Sequence, residues 1–291
     1  MSKTILVTGA NGQLGRAINI ELAGGEYELY NTDITESEGV HAADITDLGK
    51  LRDLFKQVKP YSVINCAAYT AVDAQEKDVE LSYKINALGP RNLSIAANES
   101  GSRLIQVSTD YVFPGDGDTP YNEFDPTAPK SVYGKTKLAG EQMVRDLAER
   151  YSIIRTAWLY GDGKNFVKTM LRLSESHDEV SVVDDQLGNP TSTAELARAI
   201  HFLMETDNYG LFHGTCEGIT SWAEFTEEIF RLAGKATRVN HVTTEEYTAK
   251  NPSSAPRPSY SALDNMMLRL TGGYAFADWH EAIREYIEWL K

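Results

Sequence analysis

Short apolar runs alternate with stretches of helical spacing through the first half of the chain. Ile5-Leu6-Val7 is an apolar run that leads into Gly9, and Leu14 to Leu22 carries apolar residues at helical spacing. Tyr27 to Asp33 reads as a second strand. Leu48 to Val58 is helical, with Leu51, Leu54, Phe55 and Val58 on one face. Tyr61 to Ala68 is nearly continuous apolar sequence, as expected of a strand covered on both sides. The pattern then predicts a long helix over Val79 to Asn98, a strand over Arg103 to Ser108, a helix over Ser131 to Arg150 and a strand over Tyr151 to Ala157. Strands alternating with helices predict an α/β fold built on a doubly wound parallel sheet.

Beyond about residue 160 the alternation weakens. Helices are predicted over Thr193 to Glu205, Ser221 to Ala233 and Asp278 to Leu290. Gly115 to Pro129 is a polar loop rich in Gly, Pro and Asp, set between a strand and a helix, where such sheets keep their active sites. Asn251 to Pro258 contains three prolines and reads as an irregular lid or linker.

Composition narrows the function. Hydrophobic residues make up 42% and charged residues 24% of the 291 positions, which excludes a disordered chain. The net charge of −14 argues against a nucleic-acid partner, because so acidic a surface repels a phosphate backbone. It leaves room for a phosphate held locally by backbone N–H groups. The longest stretch free of charged side chains, Pro60 to Val72, is too short to span a bilayer, and the early apolar run at Ile5 shows no cleavable-signal pattern, so none is expected. A cytoplasmic enzyme without a membrane partner is expected. Cys66 and Cys216 suggest buried small hydrophobes, and His41, His177, His201, His213, His241 and His280 show no metal spacing, so no metal site is expected.

Gly9-Ala10-Asn11-Gly12-Gln13-Leu14-Gly15 follows the first strand and opens the first helix with the spacing G-x-x-G-x-x-G. Gly9 permits a tight turn, Gly12 lets backbone approach a pyrophosphate, and Gly15 lets helix and strand pack closely. The helix N-terminus offers free N–H groups to phosphate oxygens. This predicts a Rossmann-type dinucleotide site lined by Gly9, Asn11, Gly12, Gln13, Leu14 and Gly15. Asp33 ends the second strand, where an acid accepts hydrogen bonds from ribose hydroxyls and favours NADH. Arg16 is a possible partner for the 2′-phosphate of NADPH. Asp44 and Ile45, after the presumed third strand, are placed at the adenine. Residues 1–160 are expected to form the dinucleotide core, completed by later segments. Residues 161–291 are expected to form mainly a smaller C-terminal substrate-binding region, partly interleaved with the core.

Tyr133 and Lys137 stand four apart in Tyr133-Gly134-Lys135-Thr136-Lys137, on one helix face. A neighbouring ammonium favours phenolate and is expected to lower the tyrosine pKa. Such a tyrosine can exchange a proton with a carbonyl oxygen while a nicotinamide exchanges hydride with its carbon. The glycine turn together with this pair resembles the extended short-chain dehydrogenase/reductase family. The resemblance implies a hydroxyl at the end of the fifth strand, for which Thr109 is the candidate. It also matches Asn65-Cys66-Ala67-Ala68-Tyr69, which places Ala67, Ala68 and Tyr69 at the cofactor, and it implies that Asn86 helps hold the lysine through water.

Within that family, Thr109-Asp110-Tyr111 departs from the Thr-Asp-Glu of nucleotide-sugar dehydratases, whose extra carboxylate serves water removal. Ser108 to Phe113, Arg155 to Gly161, Asp185 to Thr191 and Arg257 to Asp264 resemble its nucleotide-sugar reductases. That resemblance implies NADPH- or NADH-dependent reduction of the 4-keto group of dTDP-6-deoxy-L-lyxo-4-hexulose to dTDP-L-rhamnose. Asp110 and Tyr111 would line the sugar pocket, Trp158 would border the ring, and Arg257 would meet the diphosphate. A homodimer is possible. Two alternatives stay open: a non-catalytic dinucleotide-binding regulatory subunit like that of methionine adenosyltransferase, and another nucleotide-sugar dehydratase or epimerase.

Overall fold

A computed structural model of the chain describes residues 3–250 and 255–291. The first half of the Pro-rich segment, 251–254, lies outside the described residues. Six strands follow one another as β1 (Lys3–Thr8), β2 (Tyr27–Asp33), β3 (Val40–Ala42), β4 (Ser62–Asn65), β5 (Arg103–Thr109) and β6 (Tyr151–Thr156). A later strand, Gly210–His213, joins them. Across the sheet the order is Gly210–His213, β6, β5, β4, β1, β2, β3, and all pairs are parallel. The order reverses between β1 and β4, and a crevice opens there at the carboxyl ends of the strands.

A buried polar ladder levels those ends. The Thr8 hydroxyl donates to Asn65 Oδ1 (2.6 Å), and Asn65 Nδ2 donates to Gln106 Oε1 (2.7 Å). Apolar residues of the strands face two cores. Ile5, Val7 and Ile64 pack with Leu14, Ile18, Leu196 and Ile200, which joins helix Gln13–Glu21 to helix Thr193–Glu205. On the other face Leu6, Val63 and Leu104 pack with Leu51, Phe55 and Leu93. A third core belongs to the later part of the chain, where Val167, Phe225, Ile229, Trp279 and Ile283 bring three helices together. Beside these helices, Glu179–Val183 pairs in parallel with Arg238–Val242. Among the described residues no helix is long and apolar enough to cross a membrane.

The helix expected over Val79 to Asn98 is interrupted. Val79–Tyr83 is α-helical, Lys84–Leu88 forms a π turn, and Gly89–Ser100 resumes the α form. The sequence holds the cause. Residue 90 is proline, so it has no N–H to donate to the Asn86 carbonyl four residues back. The ladder slips by one residue, and the Gly89 N–H reaches the Lys84 carbonyl instead. The slip sits at Asn86.

Candidate active site

The glycine turn is sterically committed. Gly9 has φ +68°, and a Cβ there would lie 2.6 Å from the Ala67 nitrogen. A Cβ on Gly15 would fall 2.4 Å from the Gly9 carbonyl. The turn therefore needs glycine at both places, and it brings β1 against the Ala67-Ala68 loop after β4. Between them lies a cleft lined by Gly9, Gly12, Asp33, Asp44, Ile45, Ala67 and Ala68. Ile34, Ala43, Thr46, Cys66, Leu81, Lys84 and Ile85 also line it and were not anticipated. Several of them directly follow strand ends, and that position was the available signal. Asp33 is held at the cleft by accepting from the Asn11 N–H (3.0 Å) and the Ile34 N–H (2.7 Å).

Several expected contacts fall elsewhere. The Gln13 side chain accepts from the Gly161 N–H (3.0 Å) and from Asn165 Nδ2 (3.2 Å), so it ties helix Gln13–Glu21 to the loop after residue 160. Leu14 is buried in the core, which leaves its backbone alone to serve a ligand. The Arg16 guanidinium pairs with Asp162 at 3.0 Å. Tyr69 points its hydroxyl at Asp78 (3.1 Å). Cys66 is half-buried at the cleft, and burial pushes its thiol up to about 12; Cys216 is fully buried. The Asn86 amide is taken up by protein groups: Oδ1 accepts from the Tyr69 N–H (2.9 Å), and Nδ2 faces the Tyr69 carbonyl (3.0 Å), Gln75 Oε1 (3.3 Å) and Thr136 Oγ1 (3.1 Å). Asn86 thus fastens the Ala67–Tyr69 loop to the helix that carries Tyr133.

That helix, Val132–Leu147, starts where Ser131 accepts the Gly134 N–H (3.1 Å). Gly134 and Gly140 allow it to lie close to its neighbours: a Cβ on Gly134 would meet the Tyr111 carbonyl at 2.1 Å, and one on Gly140 the Asn86 carbonyl at 2.2 Å. Tyr133 and Lys137 share its inner face, beside Thr109 at the end of β5. The expected lowering of the Tyr133 pKa does not occur. Burial pushes the phenol up to about 12, a hydrogen bond with Thr109 opposes this, and the Asp110 charge adds to it. The Lys137 ammonium is turned to the Val107 carbonyl (2.6 Å), and burial brings it down to about 8 against the opposing pull of Glu141. Tyr133 is therefore a phenol at neutral pH, the form a proton donor requires.

Behind the pair stands a buried ion pair. Arg155 donates to Glu141 through Nε (2.8 Å) and Nη2 (2.7 Å), and the Ser108 hydroxyl donates to Glu141 Oε1 (2.6 Å). On the open side, Asp110 is buried, and desolvation raises its carboxyl to about 6. Its Oδ1 accepts from the Thr109 hydroxyl (2.8 Å). Tyr111 meets the edge of Tyr133 with centroids 5.4 Å apart. A second cleft beside it is lined by Tyr111, Phe113, Lys130, Ser131, Arg257 and Pro258. Arg257 is held there by Asp73, at 2.9 Å. Trp158 follows β6 and stacks on Trp222.

A parallel sheet with a glycine turn at its switch point, and a Tyr–Lys helix beside the same crevice, defines a Rossmann-type protein of the extended short-chain dehydrogenase/reductase class. Sequence comparison narrows the class. The model of the RmlD substrate binding domain matches residues 3–291, so the chain belongs to that family. It is similar to a dTDP-4-dehydrorhamnose reductase of Streptomyces griseus, 42% identical over 96% of this chain and 91% of the relative. A solved dTDP-4-dehydrorhamnose reductase of Clostridium acetobutylicum is 51% identical, superposes with a TM-score of 0.93, and covers 99% of both chains. The Bacillus anthracis reductase, solved with NADP, is 41% identical with a TM-score of 0.92 over 99% of both chains.

Proposed function

We propose that the protein reduces the 4-keto group of dTDP-6-deoxy-L-lyxo-4-hexulose to give dTDP-L-rhamnose, with NADPH or NADH as the reductant. The observation that carries this reading is Tyr133, packed on Tyr111 and on one helix face with a buried Lys137 that donates to the Val107 carbonyl, beside a cleft that the glycine turn leaves open. The names and NADP complex of the similar reductases support the substrate and the cofactor.

The cleft suits a dinucleotide. Gly9, Gly12 and Gly15 clear backbone for a pyrophosphate, with the N–H groups of Gln13 and Leu14 at the helix start, while the Asn11 N–H is taken by Asp33, which stands where a ribose is expected. Asp44 and Ile45 border the adenine end, while Ala67, Ala68 and Tyr69, fixed by Asn86, form the opposite wall. When bound, the nicotinamide supplies the hydride. The protein supplies the proton: Tyr133 donates it to the 4-oxygen as that oxygen gains negative charge, and Thr109 donates a hydrogen bond to the same atom. Thr109 must first turn away from Asp110, which now accepts its hydroxyl. The Lys137 ammonium offsets the phenolate left behind. Asp110, Tyr111 and Trp158 border the sugar, and Arg257, partly released from Asp73, meets the diphosphate.

The test is loss of nicotinamide absorbance when purified protein meets NADPH or NADH and the enzymatically prepared dTDP-4-keto sugar. Rapid oxidation that requires both the sugar and Tyr133 is expected, and the two rates rank the cofactors. Tight cofactor binding without oxidation would overturn the reading in favour of a regulatory dinucleotide-binding subunit.

A further inference from the structure

Trp158 is held in an unusual way. Its φ is +48°, and Lys59 is the only other non-glycine with positive φ among the described residues. A bulky residue in this region is strained. Its indole lies face to face on Trp222, with centroids 3.5 Å apart and planes 6° from parallel. Aromatic pairs left to themselves prefer an offset or an edge contact, so this sandwich is imposed by what surrounds it. Gly188 completes the enclosure: a Cβ there would lie 2.6 to 2.8 Å from three atoms of the Trp158 ring.

The two partners of the indole belong to one rigid unit. Gly188 pairs with Thr220, and Leu187 with Ser221, in a short antiparallel ladder. Trp222 is the next residue and begins helix Trp222–Ala233. Ser221 caps that helix with a reciprocal Glu224 capping box, and its hydroxyl donates to Asp184 Oδ1 at 2.6 Å. Trp222 also leans on Phe166, with centroids 4.4 Å apart, and so on the core of the later part of the chain. The ladder therefore fixes where the two partners sit around the Trp158 ring. Trp158 itself is half-buried and stands two residues beyond Thr156, the β6 partner of Thr109. Backbone strain, an imposed sandwich and a glycine-only contact converge on a ring at the carboxyl end of the strand next to Thr109.

We propose that Trp222 is a positioning residue for the reduction: with Gly188 it sets the plane of the Trp158 indole, and through that plane the seat of the sugar over Tyr133 and Thr109. This rests on the reading of Trp158 as a border of the sugar. Trp222 itself needs no contact with substrate or cofactor.

The experiment is a double-mutant cycle of Trp158→Leu and Trp222→Leu in the full chain, with Trp222→Phe as a conservative variant. Readouts are kcat and KM for the dTDP-4-keto sugar, the Kd for NADPH, and the exciton signal of two stacked indoles in circular dichroism. Each Leu variant is expected to raise the sugar KM by about tenfold, the scale of one aromatic contact. NADPH Kd should stay at the wild-type value. The double variant should be no worse than either single one, because both remove the same seat. Trp222→Phe should recover most of the loss while abolishing the exciton signal, which needs two indoles. If Trp158→Leu leaves the sugar KM unchanged, Trp158 does not border the sugar and the proposal falls with it. If Trp158→Leu raises KM and Trp222→Leu does not, or if the two effects multiply, Trp222 does not act through Trp158. Should Trp222→Leu fail to fold, Trp222→Phe decides: wild-type exciton amplitude in that variant means the stack does not exist in solution. A wild-type protein that turns over no sugar overturns the functional reading and this proposal together.

Discussion

At the scale of single residues, the proposed chemistry rests on two groups whose titration burial shifts. Tyr133 stays protonated up to about 12, and Lys137 loses its proton near 8. Tyr133→Phe removes the proposed proton donor, so kcat should fall by about two to four orders of magnitude. NADPH affinity, read by fluorescence titration, should stay near wild type; a variant with wild-type turnover in single-turnover mixing would remove Tyr133 from the mechanism. The sign of the pH effect follows from Lys137. Its ammonium is depressed, so the charge that offsets a developing phenolate is present below pH 8 and lost as pH rises through that value. The kcat/KM profile should therefore fall above about pH 8, long before Tyr133 titrates. Lys137→Met should lower kcat/KM at all pH values and flatten that limb; a limb that persists in the variant belongs to another group. Gly9, Gly12, Gly15, Tyr133 and Lys137 were legible because local spacing alone sets their geometry. The contacts of Arg16, Gln13 and Asn86 were not, because their partners Asp162, Gly161 and Thr136 lie 146, 148 and 50 residues away.

At the scale of elements, periodicity located most of the helices and strands that carry the site. Thr193–Glu205 appears with the expected ends, and Trp222–Ala233 and Trp279–Trp289 start one residue inside theirs, because Ser221 and Asp278 serve as N-caps; the last also ends one residue early, with Leu290 as its C-cap. The strand Gly210–His213 was not legible: it is short, and Leu211 and Phe212 are its only apolar side chains. Only tertiary pairing with β6 makes it a strand. The π turn at Lys84–Leu88 had a readable cause in Pro90, but helical periodicity cannot show a slip of one residue. Restoring the missing donor tests its purpose. In Pro90→Ala the new N–H can bond the Asn86 carbonyl and return the helix to α register, which turns the Asn86 amide away from Tyr69. NADPH Kd should rise several-fold, with kcat at saturating cofactor less affected. Unchanged NADPH binding would mean that the slip serves packing against Gly140 alone.

At the scale of the whole molecule, the later half of the chain returns to complete the sheet that the first half begins. Gly210–His213 extends the sheet beyond β6, and the Glu123 carboxylate, on the loop after β5, accepts from the His213 N–H (2.9 Å) and the Met267 N–H (3.1 Å). The Glu141–Arg155 pair lies within this junction, with side chains 0% and 1% exposed. Arg155 also faces His213 at 3.5 Å and stacks on Phe113, and burial, aided by the Arg155 charge, drives His213 down to about 3. His213 thus stays neutral beside a guanidinium that, among the described residues, only Glu141 pairs as a carboxylate. Glu141→Ala leaves that guanidinium unpaired in the interior and should cost about 3–5 kcal/mol of stability. Because helix, β6 and edge strand share the damage, the loss should appear in one cooperative transition, with the first and later parts of the chain unfolding together. NADPH at roughly a hundred times its Kd should return about 2.7 kcal/mol, since it binds only the folded form. Urea unfolding followed by both far-ultraviolet circular dichroism and tryptophan fluorescence checks this. Coincident curves that shift together are expected; separated curves, with only one moved by Glu141→Ala, would mean that the two regions are stabilised independently and that the pair does not join them.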